Sequence, residues 1–326
     1  MSFILITGAS GFVASHVMPE LIGAGHRIRA LVRDAKGESI IRRRLEPARL
    51  DAVEFARTAL DDADGLRRAV DGVDVVLHLI AIPRDWDGGK EMDRVNREGT
   101  RAVLDAAKAA GVRRFIHLGA LGVRDDPALP YGRSKARANA HVRESGLDWT
   151  ILSPSLLFGE RDGFFNQIAL LARLSPGVMP IPAGARSRFQ PFWVGDLARV
   201  VRMVVDDPTT AGREFELGGP DQMTYREISM TTLRGMGKRR LLLPVPQAMI
   251  MFIARISEAV HLPFPVSSDQ LRQLRFDNVT TPKDAVQQSF GFAPRRLAGS
   301  VDHLRRWVRH QEPDRTGRDS RAGSRR

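Results

Sequence analysis

Cysteine is absent from this chain, which excludes a disulfide scaffold, a zinc–thiolate or iron–sulfur site and a cysteine nucleophile. Tyrosine is almost absent, at Tyr131 and Tyr225 only, and of 50 basic residues just six are lysine. No apolar run approaches the roughly 18 residues that span a bilayer. The nearest, residues 248–254, is cut by Arg255. The N-terminus is apolar only from Phe3 to Ile6 and has neither a charged leader nor a cleavage site, so no secretory signal is expected. What is present is 43% hydrophobic residues over 326 positions, enough for one large core or two unequal ones, and wholesale disorder is excluded. The absence of cysteine fits a reducing compartment, and a cytoplasmic location, with membrane-peripheral attachment as an option, is expected.

The formal charge is +12. Arginines spread along the whole chain, with one dense run at Arg42-Arg43-Arg44 and a basic stretch over 315–326. The aromatic interleaving that single-strand binders use is missing, so nucleic acid is not an expected partner.

The first 155 residues alternate short apolar, β-branched runs with helical patterns. Strands are predicted at 3–7, 27–32, 53–56, 73–79, 114–118 and 149–152, and helices at 13–23, 62–70, 92–110 and 134–145. Continuous apolar strands separated by helices imply a parallel sheet covered on both faces, the doubly wound α/β (Rossmann) class. After Pro154 the rhythm breaks. Helices are predicted at 195–205, 225–236, 246–261 and 297–310, and a strand at 214–217. The expected organisation is a nucleotide-binding core over 1–155 and a smaller C-terminal α/β substrate or partner region over 156–310. The latter partly completes the sheet, and a disordered basic tail follows over 311–326.

The first strand runs directly into Thr7-Gly8-Ala9-Ser10-Gly11-Phe12-Val13-Ala14. Gly8 permits a sharp turn, Gly11 permits close approach of a pyrophosphate, and Ala14 lets the helix pack on the strand. The helix start then offers its N–H groups and positive dipole end to phosphates. Gly8, Ser10, Gly11, Phe12 and Val13 are therefore the expected dinucleotide contacts. The second strand ends at Arg33-Asp34. An acid at this tip suits the ribose hydroxyl of NAD and an arginine suits the 2′-phosphate of NADP. Arg33 favours NADP, and Asp34 leaves NAD open.

Tyr131-Gly132-Arg133-Ser134-Lys135 sets one of two tyrosines four residues before one of six lysines. On a helix these positions share a face. An ammonium beside a phenol stabilises the phenolate, and tyrosine then becomes an acid–base catalyst near neutral pH. Tyr131 and Lys135 are the expected catalytic pair, with Lys135 also available to a cofactor ribose and an unidentified small molecule as substrate.

With these residues the sequence resembles the short-chain dehydrogenase/reductase superfamily, in the extended and atypical branches whose N-terminal motif is TGxxGF. More narrowly, it is similar to the family of the nucleotide-binding accessory subunit of respiratory complex I and its bacterial relatives, described as NAD(P)H-binding or NAD-dependent epimerase/dehydratase proteins. The resemblance extends to about residue 310 and includes Val95-Asn96-Arg97-Glu98-Gly99-Thr100, the 111–117 stretch, Phe189-Gln190-Pro191-Phe192-Trp193-Val194-Gly195-Asp196, Glu216-Leu217-Gly218-Gly219-Pro220 and Asp277-Asn278-Val279. It implies an oxidoreductase or epimerase acting on a carbonyl or hydroxyl compound. The alternative it implies is an NADP(H)-binding accessory, assembly or redox-sensing protein with little or no turnover.

Three departures stand out. The serine expected at the end of the fifth strand is Gly119, the adenine-contacting acid after the third strand is Ala59 (unless Asp61 or Asp62 substitutes), and the Arg-Pro after the sixth strand is Ser153-Pro154-Ser155. Losing one such donor lowers rate by about 10²–10³, unless Ser155 reaches in from the next strand. His78 and His117 lie in apolar strands without partners at ligand spacing, so no metal site is expected. The serines lack the Gly-x-Ser-x-Gly elbow of hydrolases. The apolar stretch 246–261 offers a peripheral membrane or protein contact, against the plainer reading of a helix burying one face.

Overall fold

The computed structural model describes residues 1–175, 177–259 and 268–304. Its first half reads β1 (Phe3–Thr7), α1 (Ala14–Gly23), β2 (Arg27–Val32), α2 (Ala35–Arg44), α3 (Pro47–Leu50), β3 (Val53–Arg57), α4 (Ala63–Val70) and β4 (Val75–His78). Then come α5 (Lys90–Met92), a π-helical segment Asp93–Glu98, α6 (Gly99–Ala109), β5 (Arg114–Leu118), α7 (Pro130–Arg143) and β6 (Asp148–Pro154). The second half contains β7 (Leu157–Phe158), α8 (Phe164–Leu174), β8 (Val178–Pro182), β9 (Arg188–Phe189), β10 (Phe192–Trp193), α9 (Val194–Asp206) and β11 (Arg213–Leu217). It ends with β12 (Met223–Thr224), α10 (Tyr225–Gly235), β13 (Leu241–Val245), α11 (Gln247–Ala259), α12 (Ser268–Gln273) and α13 (Ala285–Phe290).

The central sheet has seven parallel strands in the order β11-β6-β5-β4-β1-β2-β3. Strand alternation sends Ile4 and Ile6 to one face, with α1 and α9, and Leu5 to the other, with α4, α6 and α7. Each face builds its own apolar cluster, which is why the central strands β1 and β4 are almost continuously apolar, while the edge strand β11 alternates Glu214 and Glu216 with Phe215 and Leu217. The chain winds outward in both directions from β1 and β4, so the topological switch lies between their C-terminal ends, where doubly wound sheets bind ligands. A third cluster unites α8, α10, α11 and α12 with the two-stranded β8–β13 sheet.

Several elements differ from the sequence reading. The helix α2 has only Gly37 and Ile41 buried, too sparse for an apolar stripe, and is held instead by an Asp34 N-cap and the Glu38–Arg42 pair. The helix α7 starts at Pro130, four residues before the predicted start, because proline suits the first helical position. The helix α8 was not predicted. It is apolar on most sides, and the prolines after it obscured its period. Residues 297–300 form a turn rather than a helix, and helical structure begins only at His303. Residues 305–326, which hold the rest of that predicted helix and the whole predicted tail, lie outside the described residues. Among the described residues no helix is long and apolar enough to cross a membrane.

Candidate functional site

The loop after β1 turns at Gly8, whose φ is +70°. A Cβ there would meet Ile80, just past β4, at 3.1 Å, so only glycine lets the two strand ends approach. The Gly11 amide donates to the Gly8 carbonyl at 2.9 Å and closes the turn. No side chain caps α1, whereas α2 and α4 are capped by Asp34 and Asp62. An uncapped helix start behind a turn built on Gly8 and Gly11 fits a dinucleotide pyrophosphate.

Two arginines unrecognised in the sequence flank this loop. Arg44 donates to the Ser10 carbonyl at 2.7 Å, and Arg161 donates to Ser15 Oγ at 3.1 Å. Burial lowers the proton affinity of Arg44, and the charges of Arg161 and Arg43 add to the effect. Phe12 packs edge-on against His16, whose ring meets the Glu160 carbonyl at 3.2 Å. The 159–162 loop of the second half therefore closes over the start of α1.

At the tip of β2 the Arg33 side chain is 85% exposed and stands 3.8 Å from Asp34. The Asp34 carboxylate accepts the Gly37 amide at 2.9 Å as the cap of α2. Asp62 is likewise engaged, accepting from the Gly65 amide and from Thr58. Asp61 faces Arg94 at 3.6 Å.

A polar chain crosses the sheet beneath the cleft. Thr100 donates its hydroxyl proton to the Asn96 carbonyl at 2.6 Å, so it can only accept from His78 Nε2, 3.1 Å away. His78 Nδ1 then accepts from Thr7 Oγ1 at 2.8 Å. This fixes a neutral imidazole, in line with burial pushing His78 down to about 3. His78 stacks on His117 with centroids 5.4 Å apart, and Lys135 Nζ meets His117 Nε2 at 3.4 Å. The chain thus runs from the glycine loop to Lys135. Asn96, in the π-helical segment, ties the 82 loop to α7 by accepting the Ile82 amide and donating to Ser134.

Lys135 is 1% exposed and donates to the Leu118 carbonyl at 2.6 Å. Burial lowers it to about 7. Tyr131 stands one turn earlier on α7, half-buried, and its phenol is pushed up to about 12 by burial and by the charge of Asp269. The expectation that Lys135 lowers the Tyr131 pKa is therefore corrected. The lysine is turned toward the end of β5, and the charge acting on the phenol is negative. Asp269 was missed because it lies 138 positions away in sequence, in a six-residue helix without periodicity.

Gly119 has a packing role. A Cβ there would come within 2.8 Å of Ser153 Oγ and 3.0 Å of Ile151, so a side chain at 119 would point against β6. Ser153 donates to Glu214 at 2.8 Å. Ser155 donates to the Asn278 carbonyl at 2.8 Å and accepts the Gln190 amide, so it is occupied rather than reaching into the cleft. Gln190, fully buried, donates to the Gly219 and Lys283 carbonyls and accepts from Thr280, and Asp196 accepts the Arg295 amide. The Gln-Pro and Asp-Asn segments are thereby the stitches between the sheet and the C-terminal region. A groove of about 430 Å³ between α4 and α6 contains neither the glycine loop nor Tyr131.

Residues 8–169 match the profile of a family described as NAD(P)H-binding. Over 303 residues the chain is 26% identical to the mitochondrial NADH dehydrogenase [ubiquinone] 1 alpha subcomplex subunit 9 of Arabidopsis thaliana, covering 90% of this chain and 75% of that one. It is 29% identical over 259 residues to the ceramide reductase of Caulobacter vibrioides, covering 78% and 77%. The UDP-glucose 4-epimerase of Thermus thermophilus, solved with NAD, superposes with a TM-score of 0.68 at 20% identity, covering 93% of this chain and 99% of that one. The nucleotide-binding half of this chain, over residues 8–169, is therefore similar to NAD(P)H-binding modules, which supports a nicotinamide dinucleotide as its cofactor.

Proposed function

We propose that this chain is an NADP(H)-dependent oxidoreductase or epimerase-like enzyme acting on a carbonyl or hydroxyl compound. The observation that carries the reading is the polar chain Thr7–His78–His117–Lys135, which links the glycine loop to the helix bearing Tyr131. The nicotinamide, when bound, supplies the hydride chemistry. The loop 8–13 and the start of α1 hold the pyrophosphate. Arg33, with Asp34 tied into its cap, favours a 2′-phosphate. Lys135, which donates to the Leu118 carbonyl at the strand end, would hold a ribose hydroxyl. Tyr131 keeps its proton at neutral pH and gives it to a substrate oxygen. The cysteine-free chain fits a reducing compartment, and the cytoplasm is the proposed location. A relative named ceramide reductase brings lipid carbonyl compounds into the substrate panel.

A second reading, a dinucleotide-binding subunit without turnover, is favoured by the Tyr131 phenol, which Lys135 does not activate. Relatives named as complex I subunits accord with it. The test is turnover of NADPH with a panel of ketones, quinones, nucleotide sugars and long-chain keto lipids, in wild type and Tyr131→Phe. The enzyme reading expects a loss of about 10²–10⁴-fold in rate with NADPH affinity unchanged. NADPH binding without any Tyr131-dependent turnover establishes the second reading instead.

A further inference from the structure

The helix α11 carries two apolar stripes, with its polar residues confined to Gln247, Arg255, Ser257 and Glu258. Its inner stripe is buried or packed in the third cluster at Ile250, Met251 and Ala254. Its outer stripe, Met249, Phe252, Ile253 and Ile256, follows the i, i+3, i+4, i+7 spacing of one face and is 43–65% exposed. A helix of a water-soluble surface has polar residues there. The strand just before it repeats the pattern, because Leu241 and Leu243 point outward at 68% and 50% exposure. Leu241 pairs across the small sheet with Val178, which is also exposed. Among the described residues, the only large apolar side chains exposed outside the 174–256 span are Met1 and Trp86.

Charge is segregated on the same segments. The chain has 38 acidic residues, yet none falls in 163–195 or in 228–257, the stretches that supply α8, β8, β13 and all but the last two residues of α11, where Glu258 is the one acid. The first stretch holds three arginines and the second five lysines or arginines. Lys238, Arg239 and Arg240 immediately precede β13, and Arg255 flanks the outer stripe of α11. Arg240 anchors the strand to the end of α8 by donating to the Ala172 carbonyl at 3.2 Å.

We infer that α11 and the β8–β13 sheet form a docking surface for an anionic lipid bilayer. Apolar side chains enter the acyl boundary while flanking cations meet lipid phosphates and carboxylates, the two signals that stable peripheral attachment requires. The helix lies in the interface rather than crossing it, since its 13 residues are too few to span. A second copy of the chain is a poor occupant. A two-fold interface would bring these predominantly cationic segments face to face. The surface lies apart from the dinucleotide cleft, so the inference does not rest on the oxidoreductase reading. It borders the substrate side, because α12, packed beside α11, carries Asp269 to Tyr131.

Full-length protein is mixed with vesicles of phosphatidylcholine, or of phosphatidylcholine with roughly one part in three phosphatidylglycerol, and sedimented. Partitioning into the anionic vesicles is expected to exceed that into neutral ones at least about tenfold and to fall steeply with salt. Phe252→Ser/Ile256→Ser and, separately, Arg239→Glu/Arg255→Glu are each expected to lose about tenfold in partitioning with Tm and NADPH affinity unchanged. The second pair changes only exposed charges, so it reports even if the first disturbs packing. Wild-type protein that ignores anionic vesicles overturns the inference. So does a dimer in sedimentation velocity that Phe252→Ser/Ile256→Ser dissociates, which would assign the face to a second copy.

Discussion

Asp269 on α12 bears directly on Tyr131 at the first turn of α7. Burial and the aspartate charge together push the phenol up to about 12. The aspartate is itself raised by burial, while Gln273 and the Tyr131 backbone favour its ionised form. The C-terminal region therefore sets the acidity of the residue that the nucleotide-binding half presents. Removing the charge lowers the phenol pKa. In Asp269→Asn, Tyr131 should ionise at a pH lower by up to about one unit. The measurement is an absorbance titration of protein carrying 3-fluorotyrosine, in a Tyr225→Phe background so that only Tyr131 reports. Superimposable curves for the two proteins would refute the coupling.

Arg33 is expected to select the cofactor. Arg33→Ala should weaken NADPH binding by about tenfold, the worth of one charge-assisted phosphate contact, and leave NADH within about twofold. Parallel fluorescence titrations check this, and an equal loss for both nucleotides would move the 2′-phosphate contact elsewhere.

Lys135 links stability to pH. Its folded value of about 7 lies below its ordinary 10.5, so between these limits the unfolded chain holds the extra proton. Stability then rises with pH across that window, and the penalty is complete below pH 7. Lys135→Met should be more stable than wild type by about 1–4 kcal/mol at pH 7. The advantage should vanish toward pH 10.5. Denaturant midpoints at several pH values decide it, and a difference that does not change with pH would show that the folded lysine keeps its ordinary affinity.

Gly119 is predicted to be required by packing. Gly119→Ser sets a Cβ against Ser153 Oγ and Ile151 and should destabilise by about 1–3 kcal/mol without raising turnover. Adding Ser153→Ala, which removes the nearer atom, should recover part of that loss in Tm. A Gly119→Ser protein as stable as wild type and faster would restore the missing-hydroxyl interpretation.

Most of the nucleotide-binding half was legible because its signals are local. The strand at 3–7 is a continuous apolar run, Gly8 and Gly11 follow at once, and Tyr131 and Lys135 stand out by rarity. The helix α2 escaped because caps and ion pairs hold it rather than an apolar stripe. Arg44 and Arg161 escaped because their partners, Ser10 and Ser15, lie 34 and 146 positions away.

The sequence by itself determined the sheet class, the glycine turn after the first strand and the spacing of the tyrosine–lysine pair. Each depends on residues within one strand, one turn or two helical turns, where spacing dictates geometry. Tertiary structure alone decided which way Lys135 turns and what charge faces Tyr131. It also decided what fills the space beside Gly119, and that the apolar helix at 247–259 has one stripe in the core and the other facing out. Those outcomes depend on burial and on partners brought together by folding, and desolvation and Coulomb forces act through space, which spacing along the chain does not encode.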